Sequence, residues 1–215
     1  LFRSLGDADT SLDFGFWAPQ VSVGDYVWFD ANGDGIQDGT DVPLEDVTLT
    51  ITYPDGSPVK NVYGEDVTTT TTDATGHYLF EHLPLGQYKV SITYPAGYGP
   101  TKKEQGTSAT DSSMSFVTSD DLQSDGLSDL TLDFGLVPAV SVGNYVWLDS
   151  DGDGVQDPAE AGIPGVVLGL VNAVTGLPVT DLNGDPVDPA TTDADGLYLF
   201  ENLPPGTYTV TVLDR

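Results

Sequence analysis

Apolar residues recur at every second position along several short stretches of the chain, and turn residues separate those stretches. From Val47 to Tyr53, the residues Val47, Leu49, Ile51 and Tyr53 alternate with threonines, and Tyr88, Val90, Ile92 and Tyr94 alternate with polar residues in the same way. Successive side chains of a strand point to opposite faces, so this period predicts strands with one buried face. His77 to Leu83 sets Tyr78 and Phe80 out of phase with Leu79. Asp25 to Asp30 sets Tyr26, Trp28 and Asp30 on one face and Val27 and Phe29 on the other. A closing strand is predicted over Leu130 to Leu136. Between them stand Pro54-Asp55-Gly56, Ala74-Thr75-Gly76 and Pro84-Leu85-Gly86, which carry turn chemistry. No segment shows a helical period.

The pattern repeats. VSVGDYVWFDANGDGIQD, Val21 to Asp38, returns as VSVGNYVWLDSDGDGVQD, Val140 to Asp157, at an offset of 119. TTDATGHYLFEHLPLGQYKV, Thr71 to Val90, returns as TTDADGLYLFENLPPGTYTV, Thr191 to Val210, at an offset of 120, so one residue is gained between the blocks. SLDFGF at residues 11–16 matches TLDFGL at residues 131–136. Self-similarity of this kind defines repeat units before any other feature does. Residues 1–18 are expected to be the final strand of a preceding repeat, 19–137 a complete repeat, and 138–215 a second repeat lacking its last strand. The linkers are short, which predicts close neighbours with restricted motion. With seven or eight strands per unit, the fold class is all-β: tandem immunoglobulin-like or transthyretin-like β-sandwich repeats.

Charge changes the picture next. The chain carries 34 acidic residues against 6 basic ones, a net charge of −28. That field repels phosphate and makes nucleic acid a poor partner, and direct contact with an anionic membrane is disfavoured for the same reason. With 10% aromatics the chain can still build packed cores, unlike most disordered acidic sequences. It has no cysteine, so disulfides and thiolate metal sites are excluded. Something should offset the mutual repulsion of the carboxylates, and cations are the obvious candidates.

The acidic residues cluster accordingly. Asp149, Asp151, Asp153, Gly154, Val155, Asp157 and Glu160 meet every specified position of a twelve-residue calcium loop, with Gly at the sixth and Glu at the twelfth. Calcium wants six to eight oxygens, and alternate residues of a tight loop can all turn inward. Asp149, Asp151 and Asp153 would give carboxylate oxygens, Val155 its carbonyl, Asp157 a direct or water-mediated contact, and Glu160 two oxygens. In the first repeat the matching positions are Asp30, Asn32, Asp34, Ile36, Asp38 and Asp41. Asp41 is one methylene shorter than Glu160, which predicts a weaker site. The loops follow strands, so a sensor-type pair of opening helices is not expected. The competing reading is a solvated acidic turn, since Asp and Gly favour turns in any case. Asp73, Asp193 and Asp195, and the group Asp120, Asp121, Asp125 and Asp129, could form further calcium sites or plain Asx turns.

Catalysis finds little support. His77 and His82 are the only histidines, and their repeat counterparts are Leu197 and Asn202. Trp28 and Trp147 occupy equivalent strand positions and are read as core residues rather than sugar platforms. Trp17 has no counterpart and is placed at a repeat junction.

The stretches VGDYVWFDANGDGIQD and VGNYVWLDSDGDGVQD resemble the opening of the SdrD-type B repeat of bacterial surface adhesins. GHYLFEHLPLGQY and GLYLFENLPPGTY are similar to the block shared with collagen-adhesin B-type domains. The resemblance covers nearly the whole chain. It implies a secreted β-sandwich repeat on a bacterial cell surface, a calcium-stiffened stalk whose partners are neighbouring repeats, with host or matrix ligands bound elsewhere in the protein. Many B-type domains also carry an interstrand Lys–Asn isopeptide bond. Residues 139–215 contain no lysine, and Asp25 to Asp30 has none, so that bond is not expected. The alternatives are a carbohydrate- or protein-binding module of a secreted protein and an S-layer or matrix component.

Overall fold

The computed structural model describes residues 17–103, 105–107 and 110–214. The strand expected at residues 11–16, and with it most of the tail assigned to residues 1–18, lies outside the described residues. Among the described residues there is no helix.

The first repeat contains β1 (Val21–Phe29), β2 (Val42–Pro43), β3 (Thr48–Thr52), β4 (Val59–Lys60), β5 (Asp66–Val67), β6 (Thr69–Thr71), β7 (His77–Leu83), β8 (Lys89–Thr93), β9 (Tyr98–Pro100), β10 (Phe116–Thr118), β11 (Ser128–Asp129) and β12 (Phe134–Pro138). The second contains β13 (Val140–Tyr145), β14 (Val167–Asn172), β15 (Ala190–Thr191), β16 (Leu197–Leu203) and β17 (Tyr208–Asp214).

β1 organises one sheet of the first repeat. It pairs antiparallel with β7 along one edge. Along the other it takes two parallel partners in turn, β11 at Ser22 and Val23, then β12 from Val27 to Phe29. β9 adds to the far edge of β12. The other sheet runs β10-β8-β3-β6. Leu49, Ile51, Val90 and Ile92 alternate inward from it and meet Val23, Val27, Tyr78 and Phe80 in one core. Each such side chain stabilises the fold by about 1.5–3 kcal/mol on full burial.

The expected Leu130–Leu136 strand is broken. Ser128 and Asp129 pair with β1, Leu130 points out, Leu132 N makes one long bond to Gly24 O, and ladder pairing resumes at Phe134. The alternation along β1 also fails locally, because Val27 and Trp28 are both fully buried. Val27 faces the core, whereas Trp28 turns to the other face, where Gly135, its partner on β12, has no side chain and lets the indole lie across that strand beside Thr101.

In the second repeat β13 pairs with β16, and β14 lies between β15 and β17. These five strands correspond to β1, β7, β3, β6 and β8. Even the register irregularity recurs, between Val21 and Val23 and between Val140 and Val142. A buried threonine makes the same clamp in both. Thr72 Oγ1 accepts from Val47 N and donates to Leu44 O, and Thr192 Oγ1 accepts from Val166 N and donates to Ile163 O. Tyr88 and Tyr208 each donate their hydroxyl to the carbonyl four residues earlier, Pro84 and Pro204. The extra residue of the second repeat falls in the turn after β14, where Asn172 N reaches Leu177 O while Tyr53 N reaches Ser57 O. A single residue, Ala139, separates β12 from β13, and its N–H donates to Gly97 O.

Candidate metal centres in two acidic loops

Both acidic loops leave the first strand of their repeat and fold back on themselves through their own carboxylates. In the second, Asp149 accepts from Gly152 N at 2.7 Å and from Gly154 N at 3.0 Å. Asp151 accepts from Asp153 N, and Asp153 from Val155 N. Glu160 straps the end of the loop to its start, accepting from Ser150 N at 2.6 Å and Asp157 N at 3.2 Å. Asp149, Asp151 and Asp153 thereby bring carboxylate oxygens within 4.8 Å of one another, all exposed to solvent. A carboxylate has about four lone-pair sites, so these N–H bonds leave oxygen capacity for a cation. The donor set is all oxygen, which suits a hard divalent ion.

The first loop has the same wiring with a deeper anchor. Asp30 is only 1% exposed. It accepts from Gly33 N, Asp34 N, Gly35 N and the hydroxyl of Thr101, 71 residues away in sequence. Gly35 has φ +84°, and a Cβ there would sit 2.2 Å from the Lys102 carbonyl, so only glycine closes this turn. Asp41 accepts from Ala31 N at 3.1 Å and Asp38 N at 2.9 Å, the two positions that Glu160 grips. Asn32 replaces an acid, and its amide donates to Asp34 at 2.8 Å. Asp38 accepts from the Thr40 hydroxyl and N–H, which hold its carboxyl below the usual range. Ile36 forms an isolated bridge with Asp111, while Val155 is exposed. The first loop carries four carboxylates and the second five.

The other acidic turn residues singled out by the sequence are held in separate local turns. Asp73 accepts from the Thr75 hydroxyl and N–H and from His77 N, an Asx turn that holds its carboxyl below the usual range. Asp193 makes the matching turn with Asp195 N and Leu197 N. Asp129 accepts from Asp120 N and Thr131, Asp125 from Gln20 N, and Asp121 from Gln123. Among the described residues, Asp149, Asp151 and Asp153 form the one group of three close acidic ligands. Trp28 is inside the fold, and Trp17 is exposed with its indole N–H directed at Asp125. Lys60 pairs with Asp66, and Lys89 lies 4.0 Å from the Phe116 ring centre.

One buried acid has no counterpart among the sequence-based expectations. Asp133 sits between β11 and β12, is 1% exposed, and neither of its oxygens meets a donor at hydrogen-bonding geometry. Burial, then the charge of Asp25, pushes its carboxyl up to about 8. Around it stand Asp25 on β1, itself raised by burial, Asp129 on β11, Asp111 before β10, and Tyr78 on β7. His77 Nδ1 lies 3.7 Å from Asp25.

Known proteins place the chain. The SdrD B-like domain model matches residues 21–136 and again 140–214. Serine-aspartate repeat-containing protein F of Staphylococcus epidermidis is 40% identical over 96% of the chain, and serine-aspartate repeat-containing protein E of Staphylococcus aureus is 40% identical over 95%. The chain spans 11% and 16% of those two relatives. A streptococcal ancillary pilin overlays 91% of the chain, and the chain covers 54% of it, at 19% identity and a TM-score of 0.41, a likeness too loose to carry an argument. On the two tandem matches and the staphylococcal identities, the chain belongs to the SdrD B-like domain family.

Proposed function

We propose that this chain is a calcium-stiffened spacer of a secreted, surface-displayed bacterial adhesin, built to project other regions rather than to catalyse. The observation that carries the reading is the convergence of Asp149, Asp151 and Asp153 in a loop whose wiring recurs at one register in the first repeat. Calcium would draw on those carboxylates, on Asp157 and Glu160 and on the Val155 carbonyl, and on Asp30, Asn32, Asp34, Ile36, Asp38 and Asp41 in the first loop. The bound ion would cancel clustered charge and tie each loop to the strand it leaves. An ion at about 100 times its dissociation constant stabilises the folded state by about 2.7 kcal/mol.

The test is a calorimetric calcium titration of chelator-treated protein, paired with melting curves and limited proteolysis. Calcium should release or absorb heat at two sites, raise the melting temperature and slow cleavage. A titration without heat and an unmoved melting curve would refute the proposal. The sites should also differ. Asn32 and Asp41 give the first loop less charge and a shorter clasp, so it should bind more weakly. Glu160→Asp should weaken the second site by roughly tenfold, about 1.4 kcal/mol, and Asp41→Glu should tighten the first. Two equal affinities in the unmodified chain would contradict this ordering.

A further inference from the structure

The loop Asp181–Asp185 of the second repeat is a hydrogen-bonded surface turn that buries one apolar side chain, Leu182. Asp181 accepts from Asn183 N, Asp185 N and the Asn202 amide. Leu182 N donates to Asn202 O. Leu182, held at the tip, is 5% exposed yet is absent from the core of its own repeat. Its side chain lies on the first repeat instead. A Cβ added at Gly99, in edge strand β9, would come within 2.7 Å of Leu182 Cβ and 2.8 Å of its Cδ1. A cleft of about 370 Å³ opens beside this contact, lined by Asn32 and Gly33 of the first acidic loop, Thr101 and Lys102, and Pro204 and Pro205.

The first repeat carries the same loop. Asn61 accepts from Tyr63 N and Glu65 N, and Val62 N donates to His82 O. His82 and Asn202 share the left-handed φ of 57° that shapes this corner. At its tip Val62 is half-buried and Tyr63 is 64% exposed.

We infer that this loop is a plug by which each repeat seats on edge strand β9 of the repeat before it, and that the seat is coupled to the acidic loop of that preceding repeat. Leu182 rests on Gly99. Two residues along the same strand line, Thr101 donates to Asp30, the anchor of the first loop. Filling or emptying that loop therefore acts at the base of the socket. The contact is heterologous, head to tail, and such contacts propagate along a tandem array. The partner is a repeat that presents glycine at the Gly99 position, because any side chain there occupies the space of the plug. The coupling, though not the plug itself, rests on the calcium reading above.

The chain has no cysteine, so spin labels can be placed at Thr68→Cys and Val174→Cys, one exposed site in each repeat. The inter-label distance is then measured with calcium and with chelator. The unmodified junction should give one narrow distance peak in calcium, broadened by chelator. Gly99→Val and Leu182→Asp should each abolish the narrow peak and leave the melting of each repeat and the second calcium site as they were, while the first site still titrates but more weakly, because a seat that calcium favours must in turn favour calcium. Should Gly99→Val unfold the first repeat, Leu182→Asp, on the other side of the contact, decides alone. A narrow peak that survives Leu182→Asp overturns the plug. A peak insensitive to calcium in a chain whose titration shows binding overturns the coupling. A titration without heat instead removes the calcium reading, and the two variants, compared with the unmodified chain in chelator, still decide the plug.

Discussion

Asp30→Ala should destabilise the first repeat by about 3 kcal/mol or more even in chelator, whereas Asp149→Ala should cost the second repeat less than about 1 kcal/mol under the same conditions. The two residues hold the same position in their loops, and their surroundings set the difference. Asp30 is enclosed, and its carboxylate satisfies three backbone N–H groups and the Thr101 hydroxyl. Truncation leaves those donors without a partner, and each buried unsatisfied group costs roughly 1–3 kcal/mol before the loop relaxes. Asp149 is exposed, and the N–H groups of Gly152 and Gly154 can turn to water. Its value should appear only with calcium, when Asp149→Ala removes the response of the second site. Urea denaturation followed by tryptophan fluorescence reads both repeats, since Trp28 and Trp147 lie one in each. Equal, small losses for the two substitutions in chelator would show that Asp30 is no structural anchor.

That asymmetry also marks how far the sequence was legible. Spacing alone marked the two acidic turns, because bonds from alternating carboxylates to nearby backbone N–H groups are a local property. The strands β3, β7 and β8 were legible for the same reason, each having one buried face and one open face. What could not be read was what distant segments lay on top. Trp28 is buried on the face opposite Val27 because Gly135, its partner on β12, leaves room for the indole to lie across the sheet beside Thr101. Thr101 reaches Asp30 across 71 residues with no pattern in between. Leu182 has the local setting of an ordinary loop residue because its partner belongs to another repeat. By pattern alone, Asp133 is a polar position of a regular closing strand. The break between Asp129 and Phe134 turns it inward, and in a chain with 34 acids nothing local sets one carboxyl apart.

Asp133→Asn should stabilise the first repeat at pH 8 and leave it nearly unchanged at pH 4. A carboxyl whose folded value is raised to about 8 favours folding while protonated. Its contribution is fully present below the unfolded value near 3.8, falls as pH rises through the interval, and is gone above about 8. A tenfold change in proton affinity between the unfolded and folded states corresponds to about 1.4 kcal/mol. The loss across the window therefore amounts to several kcal/mol, with Asp25 raised in the same direction. Asparagine fills the same space without a charge to desolvate. Stability measured by urea at pH 4, 6, 8 and 9 in saturating calcium separates this effect from the loops, because the loops are common to both proteins at every pH. The gap between variant and parent should open from pH 4 to pH 8 and then level off. Parallel curves would mean that Asp133 is ionised and solvated throughout. A gap that opens and is then reduced by adding Asp25→Asn would identify the proton as shared across the join between the first and last strands. That join is where a stalk under tension would bear its load, so its strength would then depend on the acidity around it.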